Sequence, residues 1–324
     1  MRRQQSTPPG QYVIDFSEDA EASVSAPAHT DSAPTQSAPE KADSRLFYIS
    51  FGSGSSGNSC YLGTSKGGIL IDAGVNDDDV FTALKNNGIP RENIKAILLT
   101  HDHTDHIKYV YKILRTGRNI RLYCTNRVLL GILRKHSISK RIKEYHNPIF
   151  KEIPFNILDF EITAFEVPHD GSDNVGFSIC FAGQRFVLAT DLGAIPERAA
   201  FYISQANYLV LEANYDLRML LYGTYPEYLK ARIQTERGHM DNEATAAFLA
   251  KAPISTLSHI FLCHLSQDNN RPEIALAAIR SALESRGLTV GNNDFSLEDR
   301  QAQIHLSALP RLTPSPLFVF RQKL

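Results

Sequence analysis

The chain has 324 residues, 43% of them hydrophobic, and a formal net charge of -1. This composition supplies apolar material for one large domain or two ordinary ones, so it reads as a soluble globular protein with a sizeable core. No run of eighteen apolar residues occurs, and the opening MRRQQSTPPGQYVIDF has no apolar stretch behind its basic residues; neither a membrane span nor a secretory signal is expected, and a cytoplasmic location follows by default.

Residues 1–45 consist largely of Ser, Ala, Pro, Thr, Gln and acidic residues with no period of 2 or 3.6, which predicts a disordered tail. One apolar island, QYVIDF at Gln11 to Phe16, interrupts it. From Leu46 the pattern turns to strands, LFYISFG and then CYLGTSKGGILIDAG with a hairpin turn at Lys66-Gly67-Gly68. A helix DVFTALKNNG closed by Gly88 and a buried strand IKAILLT follow. After further alternation come strand DFEITAFEVPH, hairpin GFSICFAGQRFVLATD, strand NYLVLEAN, helix NEATAAFLAKA, strand HIFLCHLS and helix PEIALAAIRSALESRG. The tally is mixed α/β (α+β), two sheets covered by helices rather than one doubly wound sheet, with a single folded domain over 46–324. Cys60, Cys124, Cys180 and Cys263 form no C-x-x-C and lie in apolar or strand-like runs, as reduced structural thiols do.

The strand IKAILLT runs into HDHTDH, three histidines and two aspartates in six positions. A packed core would not tolerate them unpartnered, since each buried imidazole or carboxylate without a partner costs several kcal/mol. A loop at a strand end can turn several side chains toward one point, and neutral imidazole with carboxylate is the donor set of zinc, manganese or iron. The candidate ligands are His101, His103, Asp105 and His106. Three more residues end apolar runs in the same manner, His169 after ITAFEVP, Asp191 after RFVLAT and His264 after HIFLC.

HDHTDH resembles the H-x-H-x-D-H signature of the metallo-β-lactamase-fold hydrolases, and His169, Asp191 and His264 match that superfamily's later ligand order. The resemblance implies an αβ/βα sandwich with two divalent metal ions, Zn or Mn, at one edge. His101, His103 and His169 would hold one metal, Asp105, His106 and His264 the other, and Asp191 would bridge them, with Asp105 serving in catalysis as well. The loop SGSSGNS (Ser53 to Ser59) and the stretch CHLSQDNNRPE (Cys263 to Glu273) resemble the YycJ/WalJ group of metal-dependent DNA exonucleases. That implies contacts to the ligands or to the substrate at Ser56, Asn58, Asn269 and Asn270, and 5'-to-3' polarity. Asp72, in DAG, is placed to orient a ligand histidine.

The superfamily cleaves several kinds of bond, so the substrate must be argued from other features. Residues 107–143 hold eleven Lys or Arg and no Asp or Glu. Beside a metal loop such a segment favours a polyanion, with Arg134, Lys135, Lys140 and Arg141 as phosphate contacts, and two metals suit phosphodiester cleavage. Asp191 follows His169 by only 22 positions, which leaves no room for the long arm of the tRNA 3'-processing relatives. Three functions fit: a nuclease acting on DNA ends, a hydrolase of cyclic or small-molecule phosphodiesters, and a catalytically idle nucleic-acid-binding protein that keeps its metals structurally. The full ligand set argues against the last, because structural sites are usually closed and mononuclear.

Two finer expectations remain. QYVIDF resembles the Q-x-x-[LI]-x-F peptides that bind bacterial sliding clamps, with Gln11, Ile14 and Phe16 as anchors. LEAN (Leu211 to Asn214) and GHMDNEA (Gly238 to Ala244) resemble the H-E-A-T and G-H-S-T stretches of the tRNA-processing relatives, which implies Glu212 supporting His239 as a proton donor. The alternative is that GHMDNEA only starts a helix, with Asp241 or Asn242 as N-cap.

Overall fold

A computed structural model describes residues 13–15, 44–117, 119–292, 299 and 301–321. Among them, sixteen strands form two eight-stranded sheets. The first holds β1 (Val13–Asp15), β2 (Leu46–Gly52), β3 (Ser59–Thr64), β4 (Gly67–Ile71), β5 (Ile94–Leu98), β6 (Arg121–Cys124), β7 (His146–Pro148) and β16 (Leu317–Phe320), in the order β1-β16-β2-β3-β4-β5-β6-β7. The second holds β8 (Phe155–Ile157), β9 (Phe160–Glu166), β10 (Val175–Phe181), β11 (Gln184–Ala189), β12 (Tyr208–Glu212), β13 (His259–Cys263), β14 (Val290–Gly291) and β15 (Ile304–Ala308), in the order β14-β15-β13-β12-β11-β10-β9-β8. In each sheet antiparallel hairpins give way to parallel strands, at β4·β5 and at β11·β12.

Strand periodicity explains the layering. Along β12, Tyr208 and Val210 enter the core between the sheets, while Leu209 and Leu211 face the helices. Both faces are apolar because helices cover the outer ones. Helices α1 (Asp77–Asn86), α2 (Thr104–Ile107), α3 (Val110–Thr116) and α4 (Asn126–Lys135) supply the core outside the first sheet, and α5 (Glu197–Ile203), α8 (Asn242–Lys251) and α9 (Pro272–Glu284) the core outside the second. Helices α6 (Leu217–Tyr222) and α7 (Glu227–Ile233) stand apart, with a small core of their own around Tyr215, Leu220 and Ile233. The result is the αβ/βα sandwich. No helix among the described residues is long and apolar enough to cross a membrane.

The site edge lies at the C-terminal ends of β4, β5, β9, β11, β12 and β13. There the backbone of Asp72, Asp191 and His264 is left-handed, with φ of 60°, 53° and 54°. Each such non-glycine residue costs about 1–3 kcal/mol. A buried Leu, Ile or Phe contributes roughly 1.5–3 kcal/mol, so a few core side chains offset that strain.

The N-terminal segment departs from the expectation of a tail without structure. Val13–Asp15 adds a parallel strand to the edge of β16, with Ile14 opposite Phe318. Gln11 and Phe16 lie outside the described residues. Of the three clamp-peptide anchors only Ile14 is therefore described, its backbone paired on this sheet edge.

Candidate metal centre

The strand ends bring the seven predicted ligands together. Donor atoms of His101, His103 and His169 all lie within 4.8 Å of one another, and so do those of Asp105, His106 and His264. Asp191 stands between the groups, Oδ2 3.2 Å from His106 Nε2 and Oδ1 3.9 Å from His169 Nε2. The Nε2 atoms of His101 and His264 are buried without a hydrogen-bond partner. A buried orphan nitrogen is costly, and a cation is the partner that these surroundings suit. The residues present therefore fit the divalent metals that the donor set implies.

Charge in the pocket points the same way. Burial alone would raise the Asp191 and Asp105 carboxyls, yet neighbouring histidines outweigh it and hold both below the ordinary range. Burial and the nearby His106 hold His101 down, as a neutral donor. For His106 and His264 burial works downward but the carboxylates win, Asp191 foremost, pushing His264 up to about 10. Protons on these two rings thus balance the acidic groups, a task divalent cations would take over on binding.

The candidate ligands are oriented by buried partners. Asp72 Oδ2 lies 2.8 Å from His106 Nδ1, while Oδ1 accepts from Thr100 N at 2.9 Å, which leaves His106 Nε2 for the centre. His169 Nδ1 bonds Gly238 O at 2.9 Å. Glu212, wholly buried, spends both oxygens: Oε1 is 2.7 Å from His239 Nδ1 and 2.9 Å from His264 Nδ1, and Oε2 accepts from Leu192 N and Met240 N. His239 sits between the two groups, its ring centroid 5.0 Å from that of His169 and 5.1 Å from that of His264. The helix-start alternative holds as well, since Asp241 caps α8. Gly74 allows the close approach of the metal loop, for a Cβ there would meet Asp105 O at 1.5 Å.

The remaining predicted contacts divide. Asn58 Nδ2 reaches Asp105 Oδ2 at 3.0 Å and His106 Nε2 at 2.9 Å, and Ser56 is exposed in the same loop. Asn269 and Asn270 lie deeper. Asn270 is buried and stitches Ala213 O and Asn214 O to Asn242, so it acts as scaffold. Asn269 is buried beneath Gly223, where a Cβ would meet its Oδ1 at 2.6 Å.

In the basic segment Arg134 and Lys140 are exposed. Lys135 is also exposed and lies 3.2 Å from the wholly buried Asp102, in the metal loop, and Arg141 pairs with Glu144 at 3.1 Å. Lys135 does tie the end of α4 to the metal loop, so the basic segment adjoins the centre.

Several supporting residues were not foreseen. Ser53 Oγ accepts from His264 N at 2.9 Å, Asp102 accepts from Ser172 N and Oγ at 2.7 Å, and Asp170 pairs with Arg232 at 2.6 Å. Asp102 and Asp170 each adjoin a ligand histidine in sequence, the one signal that could have found them.

Residues 68–262 match the model of the beta-lactamase superfamily domain. The chain is 31% identical over 260 residues to exodeoxyribonuclease YycJ of Bacillus anthracis, covering 78% of this chain and 95% of that protein. It is 33% identical over 253 residues to exodeoxyribonuclease WalJ of Streptococcus pneumoniae, covering 78% and 93%. Among solved structures, the Zn(2+)-bound PqqB of Methylobacterium extorquens superposes with a TM-score of 0.60 at 17% identity, covering 83% of this chain and 99% of that one. With its ligand-rich strand ends at one edge of a two-sheet sandwich, the chain belongs to the beta-lactamase superfamily, as a metallo-β-lactamase-fold hydrolase of the YycJ/WalJ branch.

Proposed function

We propose that the protein is a dinuclear-metal phosphodiesterase that degrades DNA from an end, with 5'-to-3' polarity. The observation that carries this is the pair of donor groups joined at Asp191, beside a basic segment attached through Lys135–Asp102. His101, His103 and His169 would hold one cation, Asp105, His106 and His264 the other, with Asp191 between them. When bound, two such cations, Zn or Mn, act as Lewis acids on the phosphate and make water acidic enough to attack at neutral pH. Asp72 and Glu212 hold the candidate ligand imidazoles, Asn58 lines the second donor group, and His239 would give a proton to the leaving oxygen. The names of the two relatives support DNA as substrate, and a cytoplasmic location accords with it.

The test is incubation of metal-loaded protein with end-labelled duplex DNA, single-stranded DNA, RNA and a cyclic nucleotide. Shortening of DNA from one labelled end is expected; turnover of the cyclic nucleotide with DNA left intact would establish the small-phosphodiester alternative instead. Elemental analysis should find two metals per chain. A metal at a thousandfold its Kd contributes about 4 kcal/mol to the folded state, so a strong chelator should lower the Tm by several degrees, reversibly on metal return. An unchanged Tm with at most one bound metal would rule out the dinuclear centre.

Charge reversal at Arg134 and Lys140 should weaken DNA binding and flatten the plot of log affinity against log salt by about one unit per lost phosphate contact. Lys135 is left intact in this experiment because its loss would disturb Asp102. A slope equal to the parent's would assign the segment to solvation.

A further inference from the structure

Helices α6 and α7 carry exposed aromatic side chains that neither the fold nor the hydrolytic centre employs. Tyr222 is 86% and Tyr228 76% exposed, although the same excursion buries Tyr215, Leu220 and Ile233. Its position is set by bonds to the site edge. Asp216 N donates to Asn269 O at 2.8 Å, Tyr225 Oη to Asp268 Oδ2 at 3.0 Å, and Arg232 Nε to Asp170 Oδ2 at 2.6 Å. Asp170 Oδ1 lies 3.3 Å from His103 Nε2 and 3.5 Å from His169 Nε2. A single ion pair therefore separates α7 from the ligand histidines.

The spacing along α7 suggests what the surface is for. Tyr228 and Arg232 are four residues apart and share one face, about 6 Å along the axis. From the centre outward the order is ligand histidines, Asp170, Arg232, Tyr228. A cation followed at roughly a nucleotide's reach by an open aromatic face is how proteins hold single-stranded nucleic acid, the cation meeting phosphate and the ring stacking on a base. Charge agrees, because Arg218 and Arg232 on these helices and Arg237 just beyond them are exposed, while the exposed Glu227 is paired with Lys230 at 3.0 Å. Duplex DNA would offer Tyr228 no free base face, whereas an unpaired end would.

We propose that α7 is a platform for an unpaired DNA strand end: Arg232 meets a phosphate beside the scissile one, the adjoining base stacks on Tyr228, and Tyr222 takes a further base. This rests on the functional reading above, and it adds that the enzyme engages a single-stranded or frayed terminus.

The test uses the metal-loaded full chain and single-stranded oligonucleotides with 2-aminopurine at the terminal positions. Binding should quench the fluorophore in the parent and in Tyr228→Phe. Tyr228→Ala, alone and with Tyr222→Ala, should lose the quench and weaken binding at least about fivefold, with metal content and Tm as controls for folding. On an oligonucleotide whose terminal nucleotides are abasic, parent and variant should bind alike. Parental quench and affinity in the double variant, on a strand the parent cleaves, would overturn the platform alone. So would unchanged DNA affinity accompanied by dissociation of an oligomer, which would make the patch a protein interface. A parent that neither binds nor cleaves DNA would overturn the functional reading, and the platform with it.

Discussion

Alanine in place of His239 should slow cleavage of a DNA end by about 10²- to 10⁴-fold while both metals stay bound. The ring lies between the two donor groups, 5.0 Å from His169 and 5.1 Å from His264 between centroids, yet it belongs to neither of the groups assigned to the metals. Its Nδ1 is committed to Glu212 Oε1 at 2.7 Å, so Nε2 is the nitrogen from which a proton can be given. A substrate with a better leaving group needs less help from an acid and should recover much of the loss. Single-turnover rates on the two substrates, with metal analysis of the same samples, check this. A variant that cleaves at the parental rate, or that fails only because its metals are gone, would remove His239 from the proton-transfer role.

Replacing Glu212 should be the most damaging change to the fold of the site. Its carboxylate accepts from four groups, the rings of His239 and His264 and the amides of Leu192 and Met240, and it is wholly buried. Burial would raise this carboxyl, but His239 and His264 hold it below its ordinary value. Alanine leaves all four groups without their acceptor, and breaking a buried pair of this kind costs about 3–5 kcal/mol. Glutamine keeps the size but turns one end into a donor, which then faces either two amide N–H groups or two imidazoles. Both variants should show a lowered Tm and lose metal from the group that contains His264, which separates them from His239→Ala. Thermal melts and metal analysis read the result; a Glu212→Gln protein with parental Tm and metal content would show that the four contacts carry little energy.

The places where sequence and structure part company follow a physical pattern. Continuous apolar runs with a marked end, such as Leu46–Gly52 and His259–Cys263, and a helix-period stripe opened by a proline, such as Pro272–Glu284, were legible because run length, period and a leading proline are local properties. The strands Ile304–Ala308 and Leu317–Phe320 were not foreseen, and neither was the pairing of Val13–Asp15 with the chain's other end. These short strands draw their hydrogen bonds from neighbours distant in the chain, and no periodicity within a few residues records that. The excursion Leu217–Ile233 was missed for a related reason: its short helices close a core of a few side chains and lack the long apolar stripe that announces a helix.

By itself the sequence determined the chemical type of the site. A loop of histidines and aspartates after a buried strand, and single His or Asp residues ending three other apolar runs, suffice to name seven candidate ligands, because the residue type decides what can bind a metal and the end of an apolar run decides where the chain leaves the core. Asp72 and Glu212 were also legible as supporting groups, but only the tertiary structure decided the other supports and which histidine each one serves. Ser53 positions His264 from 211 residues away, the histidine that Asp72 orients is His106, Lys135 is drawn to Asp102, and Asn270 bridges Ala213 to Asn242. The physical reason is that a hydrogen bond or ion pair depends on separations of about 3 Å in space, and those are set by how two sheets and their helices pack together, while sequence separation says almost nothing about them.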